Sequence, residues 1–515
     1  MKKLFSQKAL LFELVGFVFL QIIIDMLRLV NEDRFQIFGI SFIELINILY
    51  LGVLTVTFFF VNLKKPKVFI PIIIYSVLVG LYSVLHIMNI LSFNQDILTG
   101  SELNWFKEIY FIIRTYLIPV FVFYYFLFSD LSFKMFEKVV TALSIIISSV
   151  IVITNIFKIS FICYASTLEK NSFITRNIFE WFYNPDKEYP SFMTSKGWFF
   201  MGNQIGLILF MLFVFVVMLA LKYGTVSRYL LLCLNGIALV MIGTKVSTIG
   251  GTIVLAVGFI FAIIFGVLLK QFNFKWKQFI MYFISVALVF VLIAFSPMFS
   301  IQQSRTEAFE VTEEQKKATE EMMTEVEIQE KGGKLSPQFI KSFSKYVNEN
   351  PYLFRIEPEF LELFPIEENF KFWHSIIVGG SNWQVDYRLF KSKIYEEVIR
   401  INSNEMGDKL FGIGYISNFP YSEKDFVSQN IWFGYLGTAL FICPYILVAI
   451  YGVYLALRKI KKCFIYENGF FALGICAPLL LSIMAGHLFF GIFSITIFAF
   501  IVAGFYKFQT ERKKG

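Results

Sequence analysis

Arg114 stands six residues into the apolar run EIYFIIRTYLIPVF, roughly 9 Å down a helix that rises about 1.5 Å per residue. No acidic residue lies one helical turn from it. Glu108 is six positions away, so a guanidinium at this depth needs a distant partner or an anionic ligand. Other polar residues interrupt apolar runs in the same way. Asp25 and Arg28 lie late in the first run, Glu44 early in the second, and Asn203 and Gln204 open the sixth. Lys245 caps the turn between the seventh and eighth runs, and His487 sits in the last turn. Fixed cations beside an amide and an imidazole suit one kind of chemistry: holding an oxyanion while its charge grows, with a proton acceptor at hand.

Plainer readings exist for each. Asp25 and Arg28, three apart on one helical face, can neutralise each other. Glu44 and Lys245 can anchor helix ends at a membrane surface, and His487 can be a hydrogen-bonded helix-end histidine. Arg114 resists such a reading because it is too deep to reach water.

The elements that must position these residues are membrane spans. The chain has 515 residues, 57% in the AVILMFWYC set and only 16% charged, with 65 Phe. Average soluble domains are about half apolar and about a quarter charged. So few charges cannot cover a soluble fold of this size. Runs of about 20 apolar residues recur near 9–30, 41–63, 68–92, 108–128, 134–157, 197–222, 228–243, 247–269, 277–297, 429–457, 466–484 and 488–507. The expected fold is therefore all-α and polytopic, with about twelve transmembrane helices. The opening MKKLFSQKALLFELVGF resembles a signal sequence, but its apolar run continues to about residue 30 without a small-residue cleavage site, which predicts a retained first helix.

Lys and Arg alternate with these runs. One set of loops carries Lys2/Lys3/Lys8, Lys64/Lys65/Lys67, Lys134/Lys138, Lys222/Arg228, Lys270/Lys275/Lys277, Arg458/Lys459/Lys461/Lys462 and Lys507/Arg512/Lys513/Lys514. The short loops opposite hold only Arg34, Lys107 and Lys245. The positive-inside rule then predicts both termini in the cytoplasm and puts the polar residues above in one belt under the outer surface. The net charge of +8 reflects these loops. No basic face interleaved with aromatics suggests nucleic acid. Cys163, Cys233, Cys443, Cys463 and Cys476 are scattered, giving neither a zinc nor a disulfide framework.

Two outer segments exceed simple connectors. Residues 158–196 carry charges, Trp181, Pro185 and Pro190. Residues 298–428 make an extracellular loop domain before the tenth helix, separating transmembrane parts 1–297 and 429–515. In that domain RTEAFEVTEEQKKATEEMMTEVEIQEKGGK reads as an acidic solvated helix ending at Gly332-Gly333. FKFWHSIIVGGSNWQVDYRLFKSKIYEEVI has apolar residues at helical spacing and predicts helices on or over the membrane surface. No period of 20–50 residues recurs, so a repeat-built transporter gains no support.

The motifs GWFFMGNQIG (197–206), IGTKVSTIGG (242–251), LFGIGY (410–415), SEKDFVSQNIWFGYLGTALF (422–441) and AGHLFFG (485–491) complete the picture. In order and spacing they resemble the O-antigen ligase/polymerase family, in the branch of low-GC bacteria that make surface glycans. The resemblance runs from the sixth span to the C-terminus; the acidic part of the long loop matches nothing in it. It implies a bacterial plasma-membrane glycosyltransferase, inverting and metal-independent, with no cofactor and an active site facing outward. Its donor would be a glycan on undecaprenyl diphosphate, its acceptor a second glycan, and other polysaccharide-assembly proteins its further partners. The family's Gly-Thr-Arg turn corresponds here to Gly243-Thr244-Lys245, which keeps the charge but loses the bidentate fork. Its second loop arginine corresponds to Arg388 in VDYRLF. Where many members carry a loop histidine, this branch carries Glu423 and Asp425 of SEKD.

The chemistry fits these residue types. The departing diphosphate calls for fixed cations or a metal. No Asp/Glu cluster at metal spacing occurs in the long loop, which leaves Arg114, Lys245 and Arg388 as the cations, with Asn203 to hold a sugar hydroxyl or phosphate oxygen. Candidate bases are Glu423, Asp425, His374 and His487, although His374 in FWHS also reads as a surface histidine beside an aromatic anchor. Gly412–Gly414 reads as a backbone turn and not a phosphate cradle, because no helix start follows it directly. Polymerase is the first expectation, since the branch resembled occurs in bacteria without the lipid A core that ligases modify. A ligase shares the donor chemistry. Enzymes using polyprenyl-monophosphate sugars would need a larger first outer loop than the one holding Glu32-Asp33. A flippase would need charges at the midplane and inner leaflet, which the one-sided belt lacks.

Overall fold

The computed structural model describes residues 6–31, 36–37, 39–97, 102–165, 172–186, 188–272, 274–307, 317, 320, 336–354, 356–378, 387–417, 424–458, 464–484 and 486–511. Within them the chain is predominantly helical. The only strands among the described residues are two short antiparallel pairs, Gln36–Ile37 with Ile40–Ser41 and Glu102–Leu103 with Ile416–Ser417. Each of the twelve apolar runs falls on a helix. Ten are long and apolar enough to cross a membrane, and two, Val226–Ile242 and Ile492–Phe508, are shorter. The described chain divides into two compact units, one of residues 1–80, 109–301 and 440–515, the other of residues 81–108 and 302–439.

The first unit is built round the Gly202–Tyr223 helix, whose membrane window is wholly buried. Its sequence is apolar on every side, as a helix surrounded by others must be. It packs against the helices Phe133–Ile156, Val226–Ile242, Lys245–Phe261 and Tyr466–Met484. Local signals fix the helix ends. Ser41 caps the Phe42–Asn62 helix in a reciprocal box with Glu44, and Thr244 does the same with Ser247 at the start of Lys245–Phe261. Gly243 closes the preceding helix in the left-handed conformation, φ 67°. The span holding Arg114 widens into a π-helical turn over Ile113–Leu117, a feature that often marks functional positions.

In the second unit, short helices Pro337–Glu349, Pro358–Leu363, Phe370–Val378, Tyr387–Ile401 and Glu405–Phe411 gather round Phe343, Phe360, Phe364, Trp373 and Val398, all 0–1% exposed. The Trp373 indole donates to the Phe364 carbonyl at 2.8 Å, which satisfies its one polar atom inside this core. The helices expected over 370–399 are thus present. The acidic stretch ending at Gly332-Gly333 lies almost entirely outside the described residues. The tenth expected span starts earlier than its apolar run, at Asp425, and bends at Gly434 with φ 65° and ψ −175°. That conformation is open essentially to glycine alone.

Candidate functional site

In the first unit several polar residues of the apolar runs find partners across helices or on the backbone. Arg28 does not pair with Asp25, as their spacing allowed; it donates to the Glu44 carboxylate at 3.0 Å. Asp25 instead accepts the Phe200 backbone N–H at 3.0 Å, and the Arg28 guanidinium lies 5.5 Å from the centre of the Phe200 ring. Arg114 is 4% exposed, its guanidinium 4.1 Å from the Phe111 ring centre and 4.9 Å from that of Phe490. Two aromatic faces fix the plane of a group that cannot lose its charge.

Phe490 belongs to the turn carrying His487. Gly486 and His487 are both left-handed, at φ 69° and 72°, which costs about 1 kcal/mol or more at a non-glycine residue. The Ser494 hydroxyl holds the turn by donating to the Leu488 and Gly491 carbonyls. A Cβ on Gly491 would overlap the Gln204 side-chain amide at the start of the Gly202–Tyr223 helix, so a larger residue here would have to displace that amide. There the Asn203 amide nitrogen and His487 Nε2 are 3.3 Å apart. Donor and acceptor in this pair follow from the tautomer of the ring and the orientation of the amide. Asn203, His487 and Arg114, far apart in sequence, are thereby brought together.

Lys245 is exposed at the first turn of its helix. The capping turn below it meets Gly206, where a Cβ would lie 3.4 Å from both the Thr244 hydroxyl and Ser247 Cβ. This tight approach ties the Gly243-Thr244-Lys245 turn to the Asn203 helix. The preceding segment is clamped as well. Lys196 is 0% exposed, and its ammonium donates to the carbonyls of Phe200, at 2.6 Å, and Ala165. Burial pushes this group down to about 8, against the opposing pull of Cys163 and Asp25. Asp25 and Lys196 thus hold the N–H and C=O of one residue, Phe200, just before Asn203.

The remaining sequence candidates belong to the second unit or fall outside the described residues. Asp425 is 2% exposed in the first turn of its helix. His374 is half-buried and stacks on Phe370 with centroids 5.7 Å apart and planes at 11°, as its aromatic-anchor reading has it. Arg388 lies in the first turn of Tyr387–Ile401, but its side chain is outside the described residues, as is all of Glu423. The GxG turn is a backbone turn, as its sequence context indicated: Ile413 N–H donates to the Ile431 carbonyl at 3.1 Å and Gly414 N–H to the Trp432 carbonyl at 3.0 Å. Among the described residues no three His, Cys, Asp or Glu side chains gather as metal ligands would.

Sequence reading missed a second polar cluster in this unit. His86 and Glu108, both 0% exposed, pair at 2.8 Å. Asp408 accepts from Asn89 at 2.9 Å and from Asn402, and burial still raises its carboxyl above the ordinary carboxylate range. Asn89 and Asp408 lie 319 residues apart and His86 and Glu108 lie 22 apart, beyond the reach of helical spacing rules.

A fixed arginine against two rings and an imidazole beside an amide are groups able to bind an oxyanion and to accept a proton. The model of the O-antigen ligase like membrane protein family matches residues 7–507. No curated protein and no solved structure matches the chain. The match covers nearly the whole chain and includes every candidate site residue, and the chain belongs to the O-antigen ligase like membrane protein family.

Proposed function

We propose that the protein polymerises undecaprenyl-diphosphate-linked oligosaccharide repeat units into a surface polysaccharide on the outer face of the bacterial plasma membrane. The observation that carries this reading is the Arg114–Phe490 stack beside the Asn203–His487 pair. Family membership supports glycosyl transfer in general. In this reading the chain crosses the membrane twelve times with both ends in the cytoplasm, the two shorter helices included, and residues 298–428 form the outer domain.

The reaction breaks the bond between the anomeric carbon and the diphosphate oxygen, and the electron pair leaves with the diphosphate. An acceptor hydroxyl forms the new bond from the opposite face, inverting the centre, and gives its proton to a base. Arg114 presents a fixed cation to the leaving oxygens, in plane with its N–H donors, where a metal serves in other enzymes. Lys245 and Arg388 add charge, and Asn203 orients a sugar hydroxyl or phosphate oxygen. Glu423, Asp425, His374 and His487 are the candidate bases. The position of His487 next to Asn203 favours it among them.

Release of undecaprenyl diphosphate from a purified lipid-linked repeat unit tests the proposal, since a flippase releases none. Release with chain growth supports a polymerase. Release only when a wall polymer or other acceptor is added points to a ligase, and no release with any acceptor would refute glycosyl transfer.

A further inference from the structure

The buried His86–Glu108 pair has no part in the mechanism above, yet it makes a connected set of contacts. His86 Nδ1 lies 2.6 Å from the Phe411 carbonyl, and Nε2 lies 2.8 Å from Glu108 Oε1. The other Glu108 oxygen accepts the Tyr415 backbone N–H at 2.7 Å. The two side chains therefore hold both ends of the Gly412–Gly414 turn. Tyr82, one turn before His86, donates its hydroxyl to the Phe433 carbonyl at 2.6 Å, and Asn89, one turn after, donates to the Gly412 carbonyl at 2.9 Å. The turn in turn bonds through Ile413 N–H and Gly414 N–H to the carbonyls of Ile431 and Trp432. Those residues belong to the helix that begins with Asp425 and bends at Gly434. At that bend a Cβ would lie 2.5 Å from Gly412 N, so turn and bend fit only as glycine against backbone.

A carbonyl can only accept, so His86 Nδ1 donates to Phe411, which leaves Nε2 facing Glu108. An unpartnered carboxylate or imidazole here would cost far more than a surface pair, because neither side chain reaches water. The turn could have been held by neutral amides, as Asn89 and Asn402 hold Asp408.

We propose that His86 and Glu108 are positioning residues: together they fix the Phe411–Tyr415 turn, and through it the start of the helix that carries Asp425. The proposal deepens the glycosyl-transfer reading and rests on it for its effect on turnover. The structural part stands apart from it. The pair acts through the backbone and sets the position of the helix start that carries Asp425, one of the candidate bases. Loss of the pair lowers kcat and leaves KM for the lipid-linked donor nearly unchanged, because donor binding is assigned to other residues.

Three variants test this. Glu108→Ala removes the acceptor for Tyr415 N–H and strands His86. Glu108→Gln restores both contacts, its carbonyl accepting from Tyr415 and its N–H₂ donating to a neutral Nε2. His86→Ala strands Glu108. Hydrogen exchange at Ile413, Gly414 and Tyr415 is read on the full-length protein in detergent, alongside kcat and KM. The expected result is exchange faster by tenfold or more and kcat lower by tenfold or more in both Ala variants, with KM within about twofold. Glu108→Gln returns both readouts to within about threefold of the parent. Unchanged exchange in Glu108→Ala overturns the proposal. So does a Glu108→Gln variant with parental exchange but the Ala variant's loss of turnover, which would make the carboxylate itself a reacting group. Parent protein that shows the exchange pattern but turns over no lipid-linked glycan would sink the functional reading and leave the positioning role standing.

Discussion

Replacing Arg114 by Gln removes a cation that is 4% exposed and stacked on two rings, while leaving a side chain of similar reach. If Arg114 carries charge that develops on the leaving diphosphate, its loss costs what removing one fixed oxyanion donor costs, about 10²–10³ in kcat or roughly 3–4 kcal/mol. Arg114→Lys separates charge from geometry. It keeps the charge but loses the planar fork and one or both stacking contacts, each worth about 1–2 kcal/mol when desolvated, so a fall of about tenfold is expected. The assay is single-turnover release of undecaprenyl diphosphate over a range of donor concentrations, with melting in detergent as a control for folding. The ordering parent, Lys, Gln in kcat, with KM shifting less than about threefold, is the expected pattern. A Gln variant that folds and turns over within threefold of the parent would refute a transition-state role. Equal loss in Lys and Gln would move Arg114 from charge stabilisation to packing.

Asn203→Ala and His487→Ala should each lower turnover, and a double-mutant cycle should give a coupling of about 0.5–3 kcal/mol; strict additivity would mean the 3.3 Å pair does not act as a unit. Gly434→Ala places a Cβ 2.4 Å from Leu410 C in a conformation closed to other residues, and should lower the melting temperature markedly. Gly52→Ala and Gly80→Ala, with nothing within 4 Å, should leave it unchanged or raise it. Lys196, held at about 8 against an ordinary 10.5, binds fewer protons folded than unfolded between those values. Its contribution to stability should therefore rise from about pH 8 to about 10.5, by up to roughly 3 kcal/mol, and Lys196→Met should lose that rise in melting measured against pH.

Much of the molecule was legible because bilayer physics leaves few options. A backbone without water must be helical, so runs of about 20 apolar residues translate directly into helices, and every one of the twelve did. The same physics made the site's first half legible. Asp25, Arg28, Glu44, Arg114, Asn203 and His487 stood out as polar groups in apolar runs, and each is engaged in the first unit: Arg28 with Glu44, Asp25 with the Phe200 N–H, Asn203 with His487, and Arg114 with the Phe490 ring. Their partners were less readable. The helical rule favoured Asp25 for Arg28, but the capping box at Ser41 turns Glu44 towards it from the next helix. His86, Glu108 and Lys196 were overlooked because each answers to a partner set by tertiary structure: a carbonyl at Phe411, an N–H at Tyr415, a carbonyl at Phe200. Nor could spacing reveal that His487 takes a left-handed backbone, a conformation no residue-type rule predicts for histidine.

The most direct test of the proposed activity is to incubate the purified protein with an undecaprenyl-diphosphate-linked repeat unit and a chelator, then resolve the glycans on a gel. The expected result is a ladder of polymer with matching release of undecaprenyl diphosphate, lost in Arg114→Gln. Intact repeat units and no released diphosphate, with the chelator or with metal restored and with any acceptor added, would contradict it.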